Sequence, residues 1–391
     1  MRKEQYYTEF CTGCGLCQNC GFTELKKDKK GLMYPANYSV KMQEFCDRVC
    51  PMSKSTNRFR NSKNIWGAYK GFYTGYSLDS IIRFRASSGG VITAICCYLI
   101  NNKIVDGIIH TTVAEDPTDT ITVVSKTAEE IISRCGSRYS KSSPLLSIDN
   151  LVDKSKKYAF VGKPCDVSAL VNYLKINPEL VSNIVYKFSF FCAGTPTQEA
   201  NDTMLSGMGC RKESCKSINY RGNGWPGCIT VKDDKGVEYK LDYKIAWMDY
   251  LGRDIRYSCK FCFDSIGEYS DISCGDYWYL GSDNKPDMSE HDGINCILSW
   301  SDNGEKLLKD IQKEGEIYLE ESNIAKLKYS QPNHANRRST SLSRALALKV
   351  MRKNSPKYSI KLMLHNAKYS GVRAHYYTFK GTISRFKRNK L

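Results

Sequence analysis

The sequence lacks the features that would place the protein in a membrane, in a secretory pathway or among hydrolases. Its most apolar run, GGVITAICCYLI, is too short to span a bilayer. The amino-terminal stretch MRKEQYYTEF has no apolar core of the kind that a secretory signal requires. The sequence shows no Ser/His/Asp arrangement and no paired carboxylates, and its five histidines form no metal-binding pair by spacing. We therefore expect a cytoplasmic protein that is not a hydrolase.

Acidic residues are missing from residues 331–391, which carry 15 Lys and Arg and no Asp or Glu. The remaining 330 residues hold 43 basic and 41 acidic side chains, so the net charge of +17 belongs almost wholly to this segment. A cationic segment of this kind is suited to an anionic membrane surface, an acidic protein or nucleic acid, or it forms a solvated helical tail without a dedicated partner.

Cysteine is abundant, at 18 residues. Disulfides are rare in the cytoplasm, so this number indicates metal or redox chemistry. The stretch CTGCGLCQNC has the C-x2-C-x2-C spacing that wraps three corners of a 4Fe-4S cluster, and the fourth ligand is a distant cysteine, often followed by proline. The ligands predicted here are Cys11, Cys14, Cys17 and, before Pro51, Cys50. Gly13 and Gly15 allow the tight turn around the inorganic core.

Two alternatives remain open at this stretch. Zinc also binds paired CxxC units, although three tandem steps and a distant Cys-Pro favour a cubane. Six cysteines in residues 1–60 cannot supply two four-thiolate clusters, so Cys20 and Cys46 are either spare or substitute for Cys17 and Cys50.

Strand-like and helix-like segments alternate from Trp66 onward, which predicts an α+β fold with a mixed α/β domain. YKGFYTGYS, VDGIIHTTVA, KYAFVG and NIVYKFSFFCAG are predicted as strands, and SSGGVITAICCYLINN and DVSALVNYLK as helices. Antiparallel strands are expected after Cys215, and helices from about Leu342. The polar stretch SKSTNRFRNSKN is predicted to be a linker.

Four further cysteines are scattered along the chain. Cys165 and Cys192 stand at or just after predicted strand ends, where sites in α/β sheets lie. Cys259 and Cys262 form a CxxC pair. From spacing alone, isolated cysteines such as these are more often buried hydrophobic residues.

Six ordered motifs resemble those of the beta subunits of deazaflavin-reducing hydrogenases and dehydrogenases. The motifs are CTGCGLC, RASSGGVITA, CGSRYSKSS, FVGKPCDVSAL, FFCAGTPT and SCKFCFDSIGEYSDISCGDYW, and they span roughly residues 8–330. The family includes ferredoxin-dependent chlorophyll-precursor reductases and bacterial homologues found with polysaccharide-synthesis genes. Cys274 stands where the family has an aliphatic residue, so we expect it to pack rather than to bind metal, and we expect Cys96 and Cys97 to lie in the core.

The resemblance implies an FAD-binding iron–sulfur protein with two 4Fe-4S clusters. It implies that Cys165, Cys192, Cys259 and Cys262 bind the second cluster. The chain then divides into a ferredoxin-like iron–sulfur segment (1–60), an FAD- and 4Fe-4S-binding domain with a β-rich part (61–330) and a basic helical tail (331–391).

The resemblance also favours a flavin site in two loops. The first is the Gly-Gly turn before a helix, and the second is GSRYSKSS, whose cationic and aromatic groups suit FAD phosphates or rings. The predicted contacts are Ser87, Ser88, Gly89, Gly90, Arg138, Tyr139 and Lys141. Trp225 is a candidate cover for the ring.

The hypothesis that follows is an oxidoreductase. It would pass electrons between a ferredoxin-like carrier and FAD, and then to a deazaflavin or another small organic acceptor. One alternative is a non-catalytic electron-transfer subunit of a larger complex. Another is a zinc-stabilised nucleic-acid-binding protein, which the near-neutral charge of residues 1–330 disfavours. A position at the inner face of an anionic membrane would suit the basic tail.

Overall fold

The computed structural model describes residues 3–53, 64–283 and 285–387. The predicted linker falls almost entirely outside the described residues. The strands are β1 (Leu25–Lys27), β2 (Met33–Pro35), β3 (Gly71–Ser77), β4 (Gly107–Val113), β5 (Thr120–Ser125), β6 (Tyr158–Gly162), β7 (Ile184–Phe190), β8 (Cys215–Asn219), β9 (Cys228–Asp233), β10 (Glu238–Asp242), β11 (Ile272–Asp276), β12 (Asn295–Ser299) and β13 (Ile317–Glu321).

Helices surround and connect these strands. They are α1 (Lys3–Glu9), α2 (Leu16–Asn19), α3 (Val40–Val49), α4 (Ser80–Arg85), α5 (Val91–Asn101), α6 (Ala128–Ser133), α7 (Ile148–Leu151), α8 (Pro164–Ile176), α9 (Gln198–Gly207), α10 (Tyr243–Ile245), α11 (Tyr257–Lys260), α12 (Asp302–Lys313), α13 (Ile324–Ser330), α14 (Pro332–Ser339), α15 (Ser341–Val350), α16 (Ile360–Ala367) and α17 (Val372–Lys387). A π-helical turn, Ala246–Leu251, continues α10.

An eight-stranded mixed sheet forms the centre of the molecule, in the order β13-β3-β12-β11-β7-β6-β4-β5. The four central strands β11, β7, β6 and β4 run parallel to one another, and the flanking pairs are antiparallel. Parallel strands are usually covered on both faces because their crossover helices pack there. The predicted mixed α/β fold is present in this sheet.

Alternate residues of the central strands enter two separate cores. On β6, Ala159 packs in the core that α5 and α12 cover, whereas Phe160 packs against α8 on the opposite face. On β4, Ile108 and Ile109 divide in the same way. The near-continuous apolar character of these strands therefore follows from burial on both faces.

The segments predicted as strands and helices around the central sheet are confirmed as β3, β4, β6, β7, α5 and α8. The antiparallel strands expected after Cys215 are confirmed as the separate sheet β10-β9-β8. Cys96 and Cys97 are buried in the core on α5, and Cys274 is buried on β11. These segments were predictable because their burial pattern is strong in the sequence itself.

Residues 3–53 form regular secondary structure around their cysteines. They contain three helices and the hairpin β1–β2. Helix α3 buries Met42, Phe45 and Val49 along one side, and Phe10 at the end of α1 is fully buried. An apolar core therefore organises this segment together with its cysteines.

Helical structure at the carboxy-terminal end begins earlier than the predicted position near Leu342, because α13 and α14 precede it. Helices α15 and α17 pack against each other. Within the described parts of the chain, no helix combines the length and the apolar character needed to cross a bilayer.

Two helical glycines differ in the space around them, which generates a stability prediction. A Cβ atom on Gly304 in α12 would lie 2.2 Å from the carbonyl oxygen of Asp271, whereas one on Gly381 in α17 would lie 3.8 Å from its nearest neighbour, the Arg385 side chain. We expect Gly304→Ala to lower the free energy of unfolding by about 2 kcal/mol through overpacking. Gly381→Ala, the matched control, should raise it by roughly 0.5–1 kcal/mol. Urea unfolding followed by circular dichroism measures both, and an unchanged or more stable Gly304→Ala protein would contradict the packing.

Candidate functional site

Five thiols converge near the amino terminus to form what we call the amino-terminal thiol site. Its members are Cys11, Cys14, Cys17, Cys46 and Cys50. Burial raises the pKa of the other four thiols, and the nearby Cys11 adds to the rise in each of them, so all four lie near Cys11. The structure therefore brings together the four predicted ligands and adds Cys46, one helical turn before Cys50 on α3.

Glycines shape the loop of the amino-terminal thiol site. Gly13 and Gly15 have φ angles of +76° and +93°, in the left-handed region. A Cβ on Gly13 would meet the Arg256 guanidinium at 2.6 Å, and one on Gly15 would meet the backbone of Leu146 at 2.8 Å. The backbone N–H of Gly13 donates to the sulfur of Cys11 at 3.3 Å. Both positions therefore require glycine, because the backbone has a positive φ there and a Cβ atom would clash with a neighbouring residue.

Cys20 lies outside this site. The Asn19 amide faces its thiol at 3.8 Å, and the groups that affect its pKa, besides burial, are Tyr173, Asn19 and Asp149 rather than other cysteines. Cys46, by contrast, faces the other thiols. Of the two residues that the sequence left open, Cys46 is the one placed beside the predicted ligands.

A second thiol site forms at the carboxyl ends of β6 and β7. Cys165 lies in the first turn of α8, directly after β6, and Cys192 follows β7. Cys259, on α11, and Cys262 complete the set, since charge on Cys259 raises the pKa of the other three thiols. All four cysteines predicted for the second cluster are therefore brought together by segments far apart in the sequence.

Burial makes charge at these thiols costly. It raises the pKa of Cys14 and Cys46 to about 12 and that of Cys192 to about 11. A metal ligand must be the thiolate, so a buried thiolate needs positive charge or hydrogen bonds close by. At the second thiol site, Thr195 N–H donates to the sulfur of Cys259 at 3.5 Å. The Lys163 ammonium offsets part of the rise that burial causes in the pKa of Cys165 and Cys192.

Lys163 is itself held in place by a buried carboxylate. Its ammonium lies 2.7 Å from Asp166 Oδ2, and Asp166 Oδ2 also accepts from the backbone N–H of Lys163 at 3.0 Å. This arrangement caps the start of α8, the helix that carries Cys165. The position of Cys165 therefore depends on a local ion pair.

Two bridges connect the thiol sites to each other. Arg256 Nη1 and Ser258 Oγ both donate to the carbonyl oxygen of Cys11, at 3.2 and 2.9 Å, from the segment that leads to Cys259. On another side, the Tyr358 hydroxyl accepts from the N–H of Phe263 at 3.2 Å and lies 3.7 Å from the sulfur of Met52. Phe263 follows Cys262, and Met52 follows the Cys50–Pro51 pair, so each bridge joins the two sites.

A cavity of about 870 Å³ opens beside the second thiol site. Its walls include the start of α5, the loop 134–142, the carboxyl ends of β6 and β7, the turn 243–248 and the start of α14. Cys192 and the residues that follow it, 193–196, form part of the wall. A molecule bound in the cavity would therefore lie directly against a predicted cluster ligand.

The predicted flavin contacts divide between this cavity and its surroundings. Ser87, Ser88, Gly90, Arg138 and Tyr139 line the cavity. Gly89 packs against backbone atoms of neighbouring strands, where a Cβ would meet Gly75 O at 2.8 Å. The ammonium of Lys141 is buried and paired with Asp119 at 3.1 Å and with the side-chain amide of Gln198 at 2.9 Å, so Lys141 fixes its own loop.

The orientation of Arg138 and Trp225 differs from the expectation of direct ligand contact. Arg138 Nη1 donates to the carbonyl of Ile218 at 2.8 Å, which anchors the loop to β8. Trp225 is buried and stacks on Trp278 with ring centroids 4.6 Å apart. Trp278 lines the cavity and Trp225 does not appear in its wall. The aromatic cover at this side is thus Trp278, supported from behind by Trp225.

Sequence reasoning missed the contribution of α14. His334 and the residues just before it line the cavity, and His334 Nδ1 lies 2.8 Å from Ser265 Oγ. No motif marks this segment, whose one visible signal is its positive charge. Only the fold reveals that it closes the cavity.

The donors at both thiol sites are sulfur. In an iron–sulfur cluster each thiolate binds its own iron atom, and backbone N–H groups directed at sulfur are a regular part of such sites. Within the described residues, no three His, Cys, Asp or Glu side chains are grouped so as to hold a single metal ion. The all-thiol donor sets and their N–H···S contacts fit the cluster chemistry.

Two family descriptions match this chain in succession. "Coenzyme F420 hydrogenase/dehydrogenase, beta subunit N-term" matches residues 72–148, and the corresponding C-terminus description matches residues 155–324. Neither match reaches the carboxy-terminal segment, residues 331–391.

Curated relatives are similar at low identity. The F420-dependent formate dehydrogenase subunit beta of Methanocaldococcus jannaschii is 26% identical over 250 residues, covering 62% of this chain and 60% of the relative. The coenzyme F420 hydrogenase subunit beta of Methanococcus voltae is 25% identical, covering 67% and 88%. The coenzyme F420-dependent sulfite reductase of M. jannaschii is 23% identical, covering 78% and 48%. The match thus spans about 60% of the length of the formate dehydrogenase subunit.

A solved structure has the same fold. A chain of the F420-reducing [NiFe] hydrogenase complex from Methanosarcina barkeri superposes with a TM-score of 0.56 at 18% identity, covering 76% of this chain and 98% of that chain. At this identity the similarity concerns the fold alone.

A half-buried histidine in the cavity wall, His110, generates a pH prediction. Burial and the neighbouring Arg134 lower the pKa of His110 to about 4, and its Nε2 lies 2.7 Å from Ser125 Oγ. In the unfolded chain an imidazole titrates near pH 6.5. Between pH 6.5 and 4 the unfolded chain therefore binds a proton at His110 that the folded protein does not bind. The stabilising contribution of the neutral His110 is complete above pH 6.5 and is lost as the pH falls toward 4. His110→Gln should show a smaller loss of unfolding free energy between pH 6.5 and 4 than the wild type in urea titrations. Parallel pH profiles would contradict the shift.

Proposed function

We propose a function for this chain on the premise that it belongs to the coenzyme F420 hydrogenase/dehydrogenase beta subunit family. It is an iron–sulfur flavoprotein of the oxidoreductase class that passes electrons between a one-electron carrier protein and a small organic acceptor. The observation that carries this proposal is that Cys192 belongs both to the second thiol site and to the wall of the large cavity. The names of three similar proteins, an F420-dependent formate dehydrogenase subunit, an F420 hydrogenase subunit and an F420-dependent sulfite reductase, support it.

Each thiol site holds one 4Fe-4S cluster in this proposal. The ligands of the first are Cys11, Cys14, Cys17 and Cys50, with Cys46 as the fifth thiol within the same group, and those of the second are Cys165, Cys192, Cys259 and Cys262. When bound, such clusters supply one-electron transfer. The chain contributes the N–H···S bonds, the Lys163 ammonium and the exclusion of water.

The cavity holds FAD in this proposal. Its volume lies in the range of ligand pockets, and the start of α5 at its wall provides the partial positive charge that favours a phosphate. Gly90 caps α5 with φ +78°, and a Cβ there would contact Ile82 at 3.0 Å. A flavin, when bound, links one-electron and two-electron chemistry. The wall residues would hold it next to Cys192, which belongs to both the cavity wall and the second thiol site.

The two bridges support an order in which the amino-terminal thiol site, the second thiol site and the cavity follow one another. Arg256, Ser258 and Tyr358 hold the amino-terminal thiol site against the second thiol site, and the second site borders the cavity. A ferredoxin-like carrier would therefore exchange electrons at the amino-terminal site, and a deazaflavin or another organic acceptor would react in the cavity. A second candidate is a non-catalytic electron-transfer subunit, because several similar proteins are named as subunits.

Metal and flavin content test the proposal. Anaerobically purified protein should contain about eight irons and eight acid-labile sulfides per chain, together with FAD, and should absorb broadly in the visible range. Cys165→Ala and Cys259→Ala should each remove about half of the iron, whereas the control Cys20→Ser should retain all of it. Zinc without sulfide, found after anaerobic reconstitution, would refute the redox function and favour the zinc-stabilised alternative.

The carboxy-terminal helices suit an anionic membrane surface. Helices α16 and α17 expose apolar side chains next to cations and carry no acidic residue. The exposed apolar residues are Ile360, Leu364, Val372, Tyr376 and Tyr377, and the exposed cations are Lys361, Lys368, Arg373 and Lys380. Aromatic and aliphatic side chains mixed with Lys and Arg are typical of helices that lie in the lipid interface. We therefore propose peripheral binding to anionic lipid through this face.

Vesicle co-sedimentation tests this binding. The full chain should bind vesicles containing phosphatidylglycerol and should bind pure phosphatidylcholine much more weakly. The double variant Arg373→Gln/Lys380→Gln should bind anionic vesicles roughly thirtyfold less tightly, since each basic residue near the surface contributes about 1 kcal/mol. Unchanged binding by the variant, or equal binding to both vesicle types, would contradict the proposal.

A further inference from the structure

Helix α14 lies beyond the residues that match the family but makes several contacts with the second thiol site. Its His334 side chain contacts Ser265, and its Arg338 guanidinium donates to the carbonyl of Phe263 at 3.5 Å and forms a buried ion pair with Glu268. The loop that α14 covers begins directly after Cys262. The helix is therefore packed on the segment that carries two of the four predicted ligands.

Arg337 connects the two loops that form this site. Its Nη1 donates to the carbonyl oxygen of Cys259 at 3.4 Å, and its Nη2 donates to the carbonyl oxygen of Ala193. Ala193 follows Cys192 and lines the cavity. One guanidinium thus ties the loop after β7 to helix α11, segments more than sixty residues apart in sequence.

The guanidinium of Arg337 is held beside the predicted ligands by its contacts with the carbonyl oxygens of Ala193 and Cys259. In the described part of the chain no carboxylate forms an ion pair with it. Arg344 Nη1 donates to the carbonyl of Arg337 at 3.1 Å, which fixes the helix end from behind. A cation in this position favours the reduced state of a bound cluster, because reduction adds negative charge.

We infer that Arg337 is a positioning residue of the second cluster: it holds the Cys192 and Cys259 loops together and raises the reduction potential of the cluster that they bind. This inference rests on the proposed function, since it requires a cluster at the second thiol site. It assigns the start of the basic segment to the redox centre.

Three full-length variants test the inference. Arg337→Gln removes the charge and the two hydrogen bonds to the carbonyl oxygens of Cys259 and Ala193. Arg337→Lys keeps the charge but cannot make both hydrogen bonds. Lys349→Gln removes one exposed charge from the neighbouring helix α15 and is the matched control. The midpoint potential of the second cluster is measured by redox titration with electron paramagnetic resonance. The rate of iron release to a chelator measures how firmly the loops hold the cluster.

We expect Arg337→Gln to shift the potential of the second cluster to a more negative value than Lys349→Gln does, and to release iron several-fold faster than the wild type. Arg337→Lys should release iron faster while keeping a potential close to that of the wild type. If Arg337→Gln matches Lys349→Gln in both measurements, the inference is wrong although the proposed function stands. If the Cys165→Ala and Cys259→Ala variants contain as much iron as the wild type, the proposed function itself is wrong.

Discussion

The burial of two groups of thiols is the constraint on which the rest of this structure depends. A thiolate in a low-dielectric interior is costly, and several of them side by side repel one another. Backbone N–H groups donate hydrogen bonds to the sulfurs of Cys11 and Cys259, and the cations Lys163 and Arg337 lie near the second thiol site. These groups stabilise charge on sulfur, and iron, when bound, supplies the larger share.

The central sheet determines where this charge is placed. Parallel strands end at the same edge, so residues after β6 and β7 meet there although they are distant in the chain. The same edge borders the cavity, whose wall also includes the starts of α5 and α14. The position of a cavity and a thiol site at one sheet edge is therefore a consequence of a single topology. The π-helical turn beside the cavity is a further irregularity of the kind often found at functional sites.

The carboxy-terminal segment has two faces with different roles. The inner face carries Arg337, Arg338 and Tyr358, which contact the thiol sites through carbonyl, N–H and carboxylate groups. The outer face exposes lysines and tyrosines on α17. A count of charges in the sequence does not distinguish these cations. Their burial does, because Arg338 is buried in the interior whereas Lys380 is exposed to solvent.

The sequence by itself indicated cysteine-based chemistry and determined most of the regular elements around the central sheet. The patterns that revealed them are local: the C-x2-C-x2-C loop with its glycines, the apolar strands β4, β6 and β7, and the Gly-Gly turn before α5. Local patterns of this kind follow from backbone geometry and burial. Tertiary structure decided which side chains meet. It placed Cys46 rather than Cys20 beside the first thiols, turned Lys141 to Asp119 and Gln198, set Trp278 in front of Trp225, and brought Arg337 to Cys259. Those contacts join residues far apart in the chain, and their partners depend on the path of the whole backbone.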